Sequence, residues 1–401
     1  MRSSSHARAG VYVHFPWCLN KCPYCDFVSY VAPSIDHAGY ADAVLRELDA
    51  RALLLDGRRV DSIFFGGGTP SLWDTKQLGR VLAAVRQAAA SGANHDRGDM
   101  EITVECNPTS LDEDRARALA DVGVGRVSIG VQSLRDDNLR FLGREHDALG
   151  AVAAVRGALR AGVSRVSADL IFGLPGQTPA GARDEAIELA NLGVAHLSCY
   201  QLTIEHGTRF GELARRGRLP LAEDGAVAEA FLAIDEALTA LGFGHYEVSN
   251  YARPGEEARH NLGYWRGDEY IGLGCGAFGF TRSDDDGRAG GLRWRNAPRP
   301  EQYVSATQAA ALGRTKAVSD SIETLDAETL LRERIMLGLR VTDGIDLEKA
   351  AEELNVQGWT KARDRAATWL VDRGRLVRGG SRIWIPKAAW LWTDDTAARL
   401  F

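Results

Sequence analysis

Strand-like and helix-like patterns alternate along the first half of this chain, and this alternation restricts the fold more than any other feature. Residues spaced as on one face of a helix separate most of the strand-like runs. Such alternation predicts an α/β fold with parallel strands and right-handed crossovers. Six units favour a partial (β/α)6 barrel, and an open wound sheet is the alternative. The six apolar or β-branched runs are Val11–Phe15, Ser62–Phe65, Glu101–Glu105, Arg126–Val131, Arg165–Phe172 and His196–Ile204.

Residues that could bind a ligand or take part in a reaction follow five of these runs, at the point where each predicted strand ends. Cys18 follows the first run and a glycine segment, 66–70, follows the second. Glu105, Gln132 and Asp169 lie at or near the ends of the next three. Because ligands of parallel α/β folds bind at the carboxyl ends of the strands, we expect these groups to share one rim.

Three cysteines, Cys18, Cys22 and Cys25, have the spacing Cys-x₃-Cys-x₂-Cys. Thiolates bind iron–sulfur clusters, and four of them complete a four-iron cluster. Three thiolates leave one iron open for another ligand. The alternative is a structural zinc site, which lacks a second ligand pair here and has only His14 nearby as a fourth ligand.

The other polar groups of the rim each have two interpretations. The glycine segment Gly66-Gly67-Gly68-Thr69-Pro70 is either a tight turn or a place where backbone N–H groups meet a ligand. Glu105 and Asp169 lie in apolar runs, so each needs either a cationic partner or a ligand with donors. Arg126 and Arg165 read as ordinary charges at the start of strands, whereas Arg144 is less easily explained that way.

The second half of the chain differs in composition. A helix is predicted over Asp224–Leu241, followed by a stretch rich in glycine and aromatic residues. His260 in this stretch is either a solvated loop histidine or a ligand. The acidic, glycine-rich segment Ser283–Gly291 predicts a surface loop.

The last part of the chain has a helical pattern followed by a hairpin that turns at Gly379-Gly380. Three helices and a wing predict a winged-helix-like α+β domain. Its excess of positive charge is too small to indicate DNA binding, so a covering or docking role is expected. The predicted elements are Leu330–Leu339, Leu347–Leu354, Thr360–Asp372, Leu376–Arg378 and Arg382–Ile385. The whole chain then divides into a barrel (1–240), a glycine- and aromatic-rich extension packed on it (241–320) and this domain (321–401).

Composition excludes several classes of protein. A net charge of −6 argues against nucleic-acid binding as the main task. No apolar run approaches the ~20 residues of a membrane span, so at most a peripheral membrane association is expected. A clustered cysteine triplet favours a reducing compartment, which predicts a cytoplasmic protein.

Taken in order, these motifs resemble those of the radical S-adenosylmethionine (SAM) proteins, and within them the group of the oxygen-independent coproporphyrinogen III oxidases and related heme chaperones. The resemblance covers nearly the whole chain. It rests on the segment from Tyr12 to Phe27, on Gly67-Gly68-Thr69-Pro70, Gly130-Val131-Gln132-Ser133 and the segment from Asp169 to Gly176, and on the terminal domain.

The resemblance implies a [4Fe–4S] cluster on Cys18, Cys22 and Cys25, with SAM on the open iron. Glycine N–H groups and Arg144 suit the SAM carboxylate, and Glu105 and Asp169 suit its amine or ribose hydroxyls. By motif position, the expected SAM contacts are Tyr12, Tyr24, Gly67, Gly68, Thr69, Glu105, Gln132, Arg144 and Asp169.

Three features favour the heme-chaperone branch. The oxidases carry a further cysteine two residues after the third cluster ligand, where this chain has Phe27. Chaperone-like members carry His-Asn-x-x-Tyr-Trp, matched by His260, Asn261, Tyr264 and Trp265, which makes His260 a candidate heme ligand. The cysteine motif also begins close to Met1, whereas the oxidases have a longer segment before it.

The predicted function is therefore a heme chaperone that delivers heme to a target, expected to be a membrane-associated respiratory protein, with a homodimer as a further expected state. Two rivals stay open. One is an enzyme that oxidatively decarboxylates coproporphyrinogen III. The other is an interaction protein whose cysteines bind zinc and whose winged helix binds nucleic acid.

Overall fold

The computed structural model describes residues 7–90, 100–285, 288–310 and 318–401. Six parallel strands follow one another in the order β1 to β6 within a single sheet, with helices in between. The strands are β1 (Arg8–Phe15), β2 (Arg59–Gly67), β3 (Glu101–Cys106), β4 (Arg126–Gln132), β5 (Arg165–Phe172) and β6 (His196–Gln201). The helices between them are α1 (His37–Arg51), α2 (Thr75–Ala90), α3 (Glu113–Asp121), α4 (Asp136–Phe141), α5 (Ala148–Arg160) and α6 (Pro179–Asn191).

Local sequence explains why these helices begin and pack where they do. In α2, the apolar residues at helical spacing, Leu78, Val81, Leu82 and Val85, are all buried. At the start of α6, the Thr178 hydroxyl accepts a hydrogen bond from a backbone N–H. The resulting core lies between sheet and helices and includes buried apolar residues of the strands such as Val11, Val104 and Leu197.

Further strands extend the sheet at both edges. The segment that follows β6 contains two helices and a short antiparallel pair on the β6 side, and the later strands continue from β1, with β9 parallel to it. These elements are α7 (Arg209–Arg215), α8 (Asp224–Ala240), β7 (Gly244–Glu247), β8 (Asn250–Ala252), α9 (Arg259–Trp265), β9 (Glu269–Leu273), β10 (Phe278–Asp285), β11 (Arg288–Asn296), α10 (Pro300–Ala310) and β12 (Ser319–Asp326).

The surface loop predicted over Ser283–Gly291 is wrong for most of its length. Most of the segment belongs to β10 and β11, which pair antiparallel, while residues 286 and 287 lie outside the described part. The glycines misled the prediction because they serve close packing. A Cβ at Gly291 would lie 2.6 Å from the Phe280 ring, so glycine is needed within the strand.

The C-terminal part has its own apolar core, which includes Leu331, Ile335, Leu370 and Ile383. As predicted, it contains three helices followed by a hairpin, which a short strand extends into a three-stranded sheet. Its elements are α11 (Ala327–Gly338), β13 (Ile345–Asp346), α12 (Leu347–Leu354), α13 (Lys361–Val371), β14 (Val377–Gly379), β15 (Arg382–Trp384) and α14 (Thr393–Ala398). The division into three domains stays a prediction, although strands of the predicted extension continue the main sheet.

Candidate functional site

One cleft opens at the carboxyl ends of the parallel strands and encloses about 1620 Å³, part of it open to solvent. Most of the predicted site residues line it, which agrees with the expectation of one shared rim. Those that line it are Cys18, Cys22, Tyr24, Cys25, Gly67, Gly68, Thr69, Glu105, Gln132, Arg144 and Asp169. Tyr12 and His260 do not.

The cysteine segment is fixed at both ends by backbone hydrogen bonds. The Cys18 N–H donates to the Tyr30 carbonyl over 3.0 Å, and the Cys25 N–H donates to the Cys22 carbonyl over 3.1 Å. All three thiols are unpaired with one another and half-buried. This leaves three sulfur donors at the mouth of the cleft, which is the donor set of a cluster with one open iron.

Two side chains from other segments of the chain reach these sulfurs. The Thr69 hydroxyl donates to Cys18 Sγ over 3.4 Å, and the Arg144 guanidinium donates to Cys22 Sγ over 3.4 Å. Hydrogen bonds and positive charge near sulfur stabilise thiolates and tune a cluster. The residues present therefore fit an iron–sulfur cluster.

His14 does not join the cysteines. Its Nε2 donates to the Val28 carbonyl over 2.8 Å, and its Nδ1 lies 3.0 Å from the Tyr12 hydroxyl. Burial lowers the pKa of His14 to about 4, so the ring is neutral at pH 7. The zinc interpretation thus loses its candidate fourth ligand. In the part of the chain described, no three His, Cys, Asp or Glu side chains are grouped to hold one metal ion.

The glycine segment begins with the last two residues of β2 and continues beyond the strand, close to β1. Gly67 has a φ of 113°, and a Cβ at Gly68 would lie 2.6 Å from the Trp17 carbonyl oxygen. Both N–H groups are already used, by Glu105 Oε2 at 3.0 Å and by the Phe15 carbonyl at 2.8 Å. These two N–H groups have partners within the protein in this structure, so the expected glycine contacts with a ligand stay a prediction.

Two carboxyl groups face the cleft from β3 and β5. Glu105 accepts from Gly67 N–H, and Asp169 accepts from the Ser128 hydroxyl over 3.0 Å. No described cation lies within ion-pair distance of either one. Burial raises the pKa of Glu105 to about 7, and burial also raises the pKa of Asp169. Of the two interpretations given by the sequence, the structure favours a ligand with donors over a cationic partner.

The end of β4 and the segment after it supply two more groups. Gln132 has a φ of 67° at an irregularity of the strand pairing, a conformation that costs on the order of 1 kcal/mol for a residue with a Cβ. Arg144 donates to the Gly130 carbonyl over 3.0 Å, and its Nε is buried without a partner. A strained backbone and an unused buried donor are features that a bound ligand would explain.

The two predicted tyrosines occupy different places. Tyr24 lies in the cleft wall near Phe210, with ring centroids 6.3 Å apart. Tyr12 lies inside the barrel, stacked on Phe64 at 6.1 Å, and its hydroxyl contacts His14. Tyr12 therefore does not line the cleft itself, although the Phe64 ring on which it stacks does.

His260 lies in α9, buried and satisfied. Its Nδ1 is 2.8 Å from the Ser62 hydroxyl and its Nε2 is 3.1 Å from the Tyr264 hydroxyl. Its ring stacks on Phe64 at 4.9 Å, and burial lowers its pKa to about 3. It is not a solvated loop residue. In this conformation neither ring nitrogen is free for an iron.

Several polar residues of the cleft were missed by the motif search. They lie at alternate positions of β3, β4 and β6, so a search for polar residues with period two inside the apolar runs would have found them. Arg126, interpreted as an ordinary charge at the start of a strand, is buried. The missed residues are Thr103, Arg126, Ser128, His196, Ser198 and Tyr200.

No helix among the described residues is both long and apolar enough to cross a membrane. The sequence profile of the Radical SAM superfamily matches residues 12–190, and that of the HemN C-terminal domain matches residues 325–392.

Two curated proteins and one solved structure illustrate what this chain resembles. The heme chaperone HemW of Mycobacterium tuberculosis is 35% identical over 396 residues, 98% of this chain and 94% of that protein. The heme chaperone HemW of Escherichia coli is 42% identical over 270 residues, 67% of this chain and 69% of that protein. The structure of coproporphyrinogen III oxidase (HemN) from Escherichia coli, a radical SAM enzyme, has a TM-score of 0.80 at 21% identity, covering 99% of this chain and 91% of that chain. This likeness confirms the predicted fold class.

Proposed function

Because this chain belongs to the family of the heme chaperone HemW, within the radical SAM superfamily, we propose that it binds heme and delivers it to a heme-dependent protein, expected to be a respiratory one. The observation that carries the proposal is the 35% identity with a protein of that name over 98% of this chain. Identity of this extent includes the barrel, the α9 segment and the C-terminal domain, so it concerns the whole molecule.

The cysteines Cys18, Cys22 and Cys25 would hold a [4Fe–4S] cluster at the mouth of the cleft. When bound, this cluster supplies an open iron for the amino and carboxylate groups of SAM and an electron for breaking its sulfonium bond. The hydrogen bonds from Thr69 and Arg144 to two of the sulfurs support this assignment.

The residues of the cleft would bind and orient SAM through complementary charge. Glu105 and Asp169, which have no cationic partner within 4 Å among the described residues, would accept from the ammonium group or the ribose hydroxyls. The unpartnered Nε of Arg144 and the side chain of Gln132 would donate to the carboxylate. The physical argument for these contacts is that the buried Nε of Arg144 has no partner among the described residues and that neither carboxyl group has a counter-charge there.

His260 stays the candidate heme ligand, with a condition set by its neighbours. To bind iron through Nε2, it must exchange the Tyr264 hydroxyl for the metal. Its Nδ1 can keep the Ser62 hydroxyl at 2.8 Å, the kind of contact that orients metal-bound histidines. Heme binding by His260 thus requires Tyr264 to move.

Phe27 is the residue that argues against the decarboxylating enzyme. It lines the cleft and is 55% exposed, at the place where the oxidases have a further cysteine. A phenyl ring offers neither a thiolate nor a proton. SAM cleavage is therefore not assigned as a routine step of this protein.

The test is to reconstitute the cluster without oxygen and then add two ligands in separate experiments. Heme is titrated and followed by its absorption spectrum, while coproporphyrinogen III is incubated with SAM and a reductant and followed by product analysis. Heme binding without decarboxylated product is expected, followed by transfer of heme to an apo-acceptor. Release of carbon dioxide would overturn the choice and favour the oxidase, and zinc without labile sulfide would favour the interaction protein.

A further inference from the structure

Arg126 lies at the far end of the cleft from the cysteines. It is the first residue of β4, whose last residue, Gln132, is at the rim. Six residues of extended strand place the two roughly 20 Å apart. Arg126 nevertheless lines the same cleft and is only 3% exposed. The cleft therefore runs through the barrel, from thiols at one end to a guanidinium at the other.

This guanidinium has few partners. Its Nη1 donates to the Glu256 carbonyl over 3.1 Å, and that is its one side-chain hydrogen bond among the described residues. No described carboxylate lies within 4 Å of it. A guanidinium keeps its charge under all ordinary conditions and carries five N–H donors. Burying such a group without a counter-charge costs desolvation free energy, so Arg126 in this position destabilises the ligand-free protein.

The neighbouring strand offers a contrast. Arg165, the first residue of β5, is the register partner of Arg126. It forms ion pairs with Glu101 and Glu256, both at 3.1 Å, and does not line the cleft. The two arginines are neighbours in the sheet, but protein carboxylates neutralise Arg165 and do not neutralise Arg126.

The groups around Arg126 do not supply the missing anion. The charge of Arg126 acts to lower the pKa of Asp169, against the larger raising effect of burial. The Asp169 carboxyl group accepts a hydrogen bond from Ser128 and forms no ion pair with Arg126. His196 lies between the Ser167 and Tyr246 hydroxyls at 2.7 and 2.8 Å. Burial, followed by the charge of Arg126, lowers the pKa of His196 well below its ordinary value, so it is neutral. The positive charge in the deep end faces open cleft.

We propose that Arg126 is the recognition site for a carboxylate of a ligand in the deep end of the cleft and, resting on the proposed function, that this carboxylate is a propionate of heme. Guanidinium groups pair with carboxylates through two parallel hydrogen bonds, and such charge-assisted bonds are strong where water is excluded. This subsite is separate from the thiols, Arg144 and Glu105 at the rim.

The test compares heme with its dimethyl ester, which has the same ring and iron but no carboxylates. Reconstituted wild-type protein, Arg126→Gln and Arg165→Gln are each titrated with both ligands and, separately, with SAM. Wild type should bind heme between about tenfold and a hundredfold more tightly than the ester, the range for a hydrogen bond to a charged group. Arg126→Gln should lose most of this preference, because glutamine carries no charge and lacks the paired donors of a guanidinium. Arg165→Gln should keep the preference, and SAM affinity should stay unchanged in Arg126→Gln.

Three results would overturn the inference. An unchanged heme preference in Arg126→Gln would remove the propionate from this site while leaving heme binding intact. Weakened SAM binding in that variant, with heme unaffected, would mean that the carboxylate belongs to SAM. Absence of heme binding in wild type would overturn the proposed function as well. Where Arg126→Gln does not fold, Arg126→Lys replaces it, since lysine keeps the charge but not the paired donors; a preference reduced by about threefold or more supports the site, and an unchanged one overturns it.

Discussion

The cysteine segment and α9 were both identified from short motifs, yet the fold treats them in opposite ways. Cys18, Cys22 and Cys25 lie half-buried at the mouth of the cleft with their sulfurs free of one another. His260 is buried, with Ser62 on one ring nitrogen and Tyr264 on the other. The cysteine segment therefore presents sulfur atoms that can bind a metal, whereas both ring nitrogens of His260 are occupied by hydrogen bonds within the protein.

This difference teaches that a motif gives the residue type but not its availability. Thiols grouped at a polar rim are typical of ligands for a metal or a cluster. A neutral histidine between two hydroxyls already has a hydrogen-bond partner for each ring nitrogen. The comparison predicts that the cysteines matter for cofactor content and that His260 matters first for folding. Each of the following experiments can break or sharpen that contrast.

The largest effect is expected from removing one thiol. Cys18→Ala, Cys22→Ala or Cys25→Ala should each abolish the cluster, because three ligands are the minimum for holding it. Iron and labile sulfide analysis with the visible spectrum measures this. Cys199→Ala is the matched control, since Cys199 is buried in the core and away from the cleft, and it should keep the cluster. A normal cluster spectrum in any of the three variants would refute the ligand assignment.

Glu105→Gln should weaken SAM binding by about tenfold to a hundredfold, the loss expected when a carboxylate no longer meets a charged donor. Because the pKa of Glu105 is about 7, wild-type affinity for SAM should rise between pH 6 and pH 8, and the variant should not show this rise. Calorimetry on reconstituted protein measures both. Glu113→Gln on the surface of α3 is the control, and equal affinity in both variants would exclude Glu105 from the site.

Glu105→Gln, which should weaken SAM binding, should in contrast increase the stability of the cofactor-free protein. As pH rises, the unfolded chain loses the Glu105 proton near the ordinary pKa of 4.5, and the folded chain holds it until about 7. Wild-type stability therefore falls over that window, and glutamine avoids the loss. The free energy of unfolding of the cofactor-free variant should exceed that of wild type by at most about 3 kcal/mol at pH 8, and by little at pH 4. Water in the cleft reduces the figure, and a destabilised variant at pH 8 would contradict it.

His260→Ala tests the other region. Loss of the Phe64 stacking and of two hydrogen bonds should destabilise the protein by about 3 kcal/mol while the cluster remains. Heme affinity should also fall if His260 exchanges Tyr264 for iron. His206→Ala, at an exposed position, is the control. Lower stability with unchanged heme affinity would make α9 a purely structural motif and would sharpen the contrast with the cysteines.

The smallest effect is expected at the edge of the cysteine region. Thr69→Val removes the hydroxyl that donates to Cys18 Sγ and should keep the cluster while lowering its reduction potential, because the thiolate loses a hydrogen bond. SAM affinity should change by less than about tenfold. A redox titration compares this variant with Thr69→Ser, which keeps the hydroxyl. Equal potentials in the two would show that the 3.4 Å contact has no electronic effect.

Much of the fold could be predicted because the signals are local. The runs Val11–Phe15 and Arg165–Phe172 fall inside β1 and β5, and the α12 prediction agrees with the structure. The Ser283–Gly291 loop failed because glycine there serves packing against Phe280, a contact that the local sequence does not contain.

The site divides in the same way. The alternation of strands and helices was enough to bring Cys18, Gly67, Glu105, Gln132 and Asp169 to one rim, since parallel strands place their carboxyl ends together. It was not enough to foresee that the glycine N–H groups were already used or that Arg126 faced the cleft.

The sequence by itself determined the order of strands, the family and the positions of the cysteines, because period, spacing and turn residues act over short distances along the chain. Only the tertiary structure decided which polar groups have hydrogen-bond or ion-pair partners within the protein and which do not. His14 meets Val28, His260 meets Ser62, and Arg165 takes Glu101, while Arg126 and Glu105 are left without a counter-charge. Hydrogen bonds and ion pairs join residues far apart in sequence, so availability for a ligand is fixed only when the chain has folded.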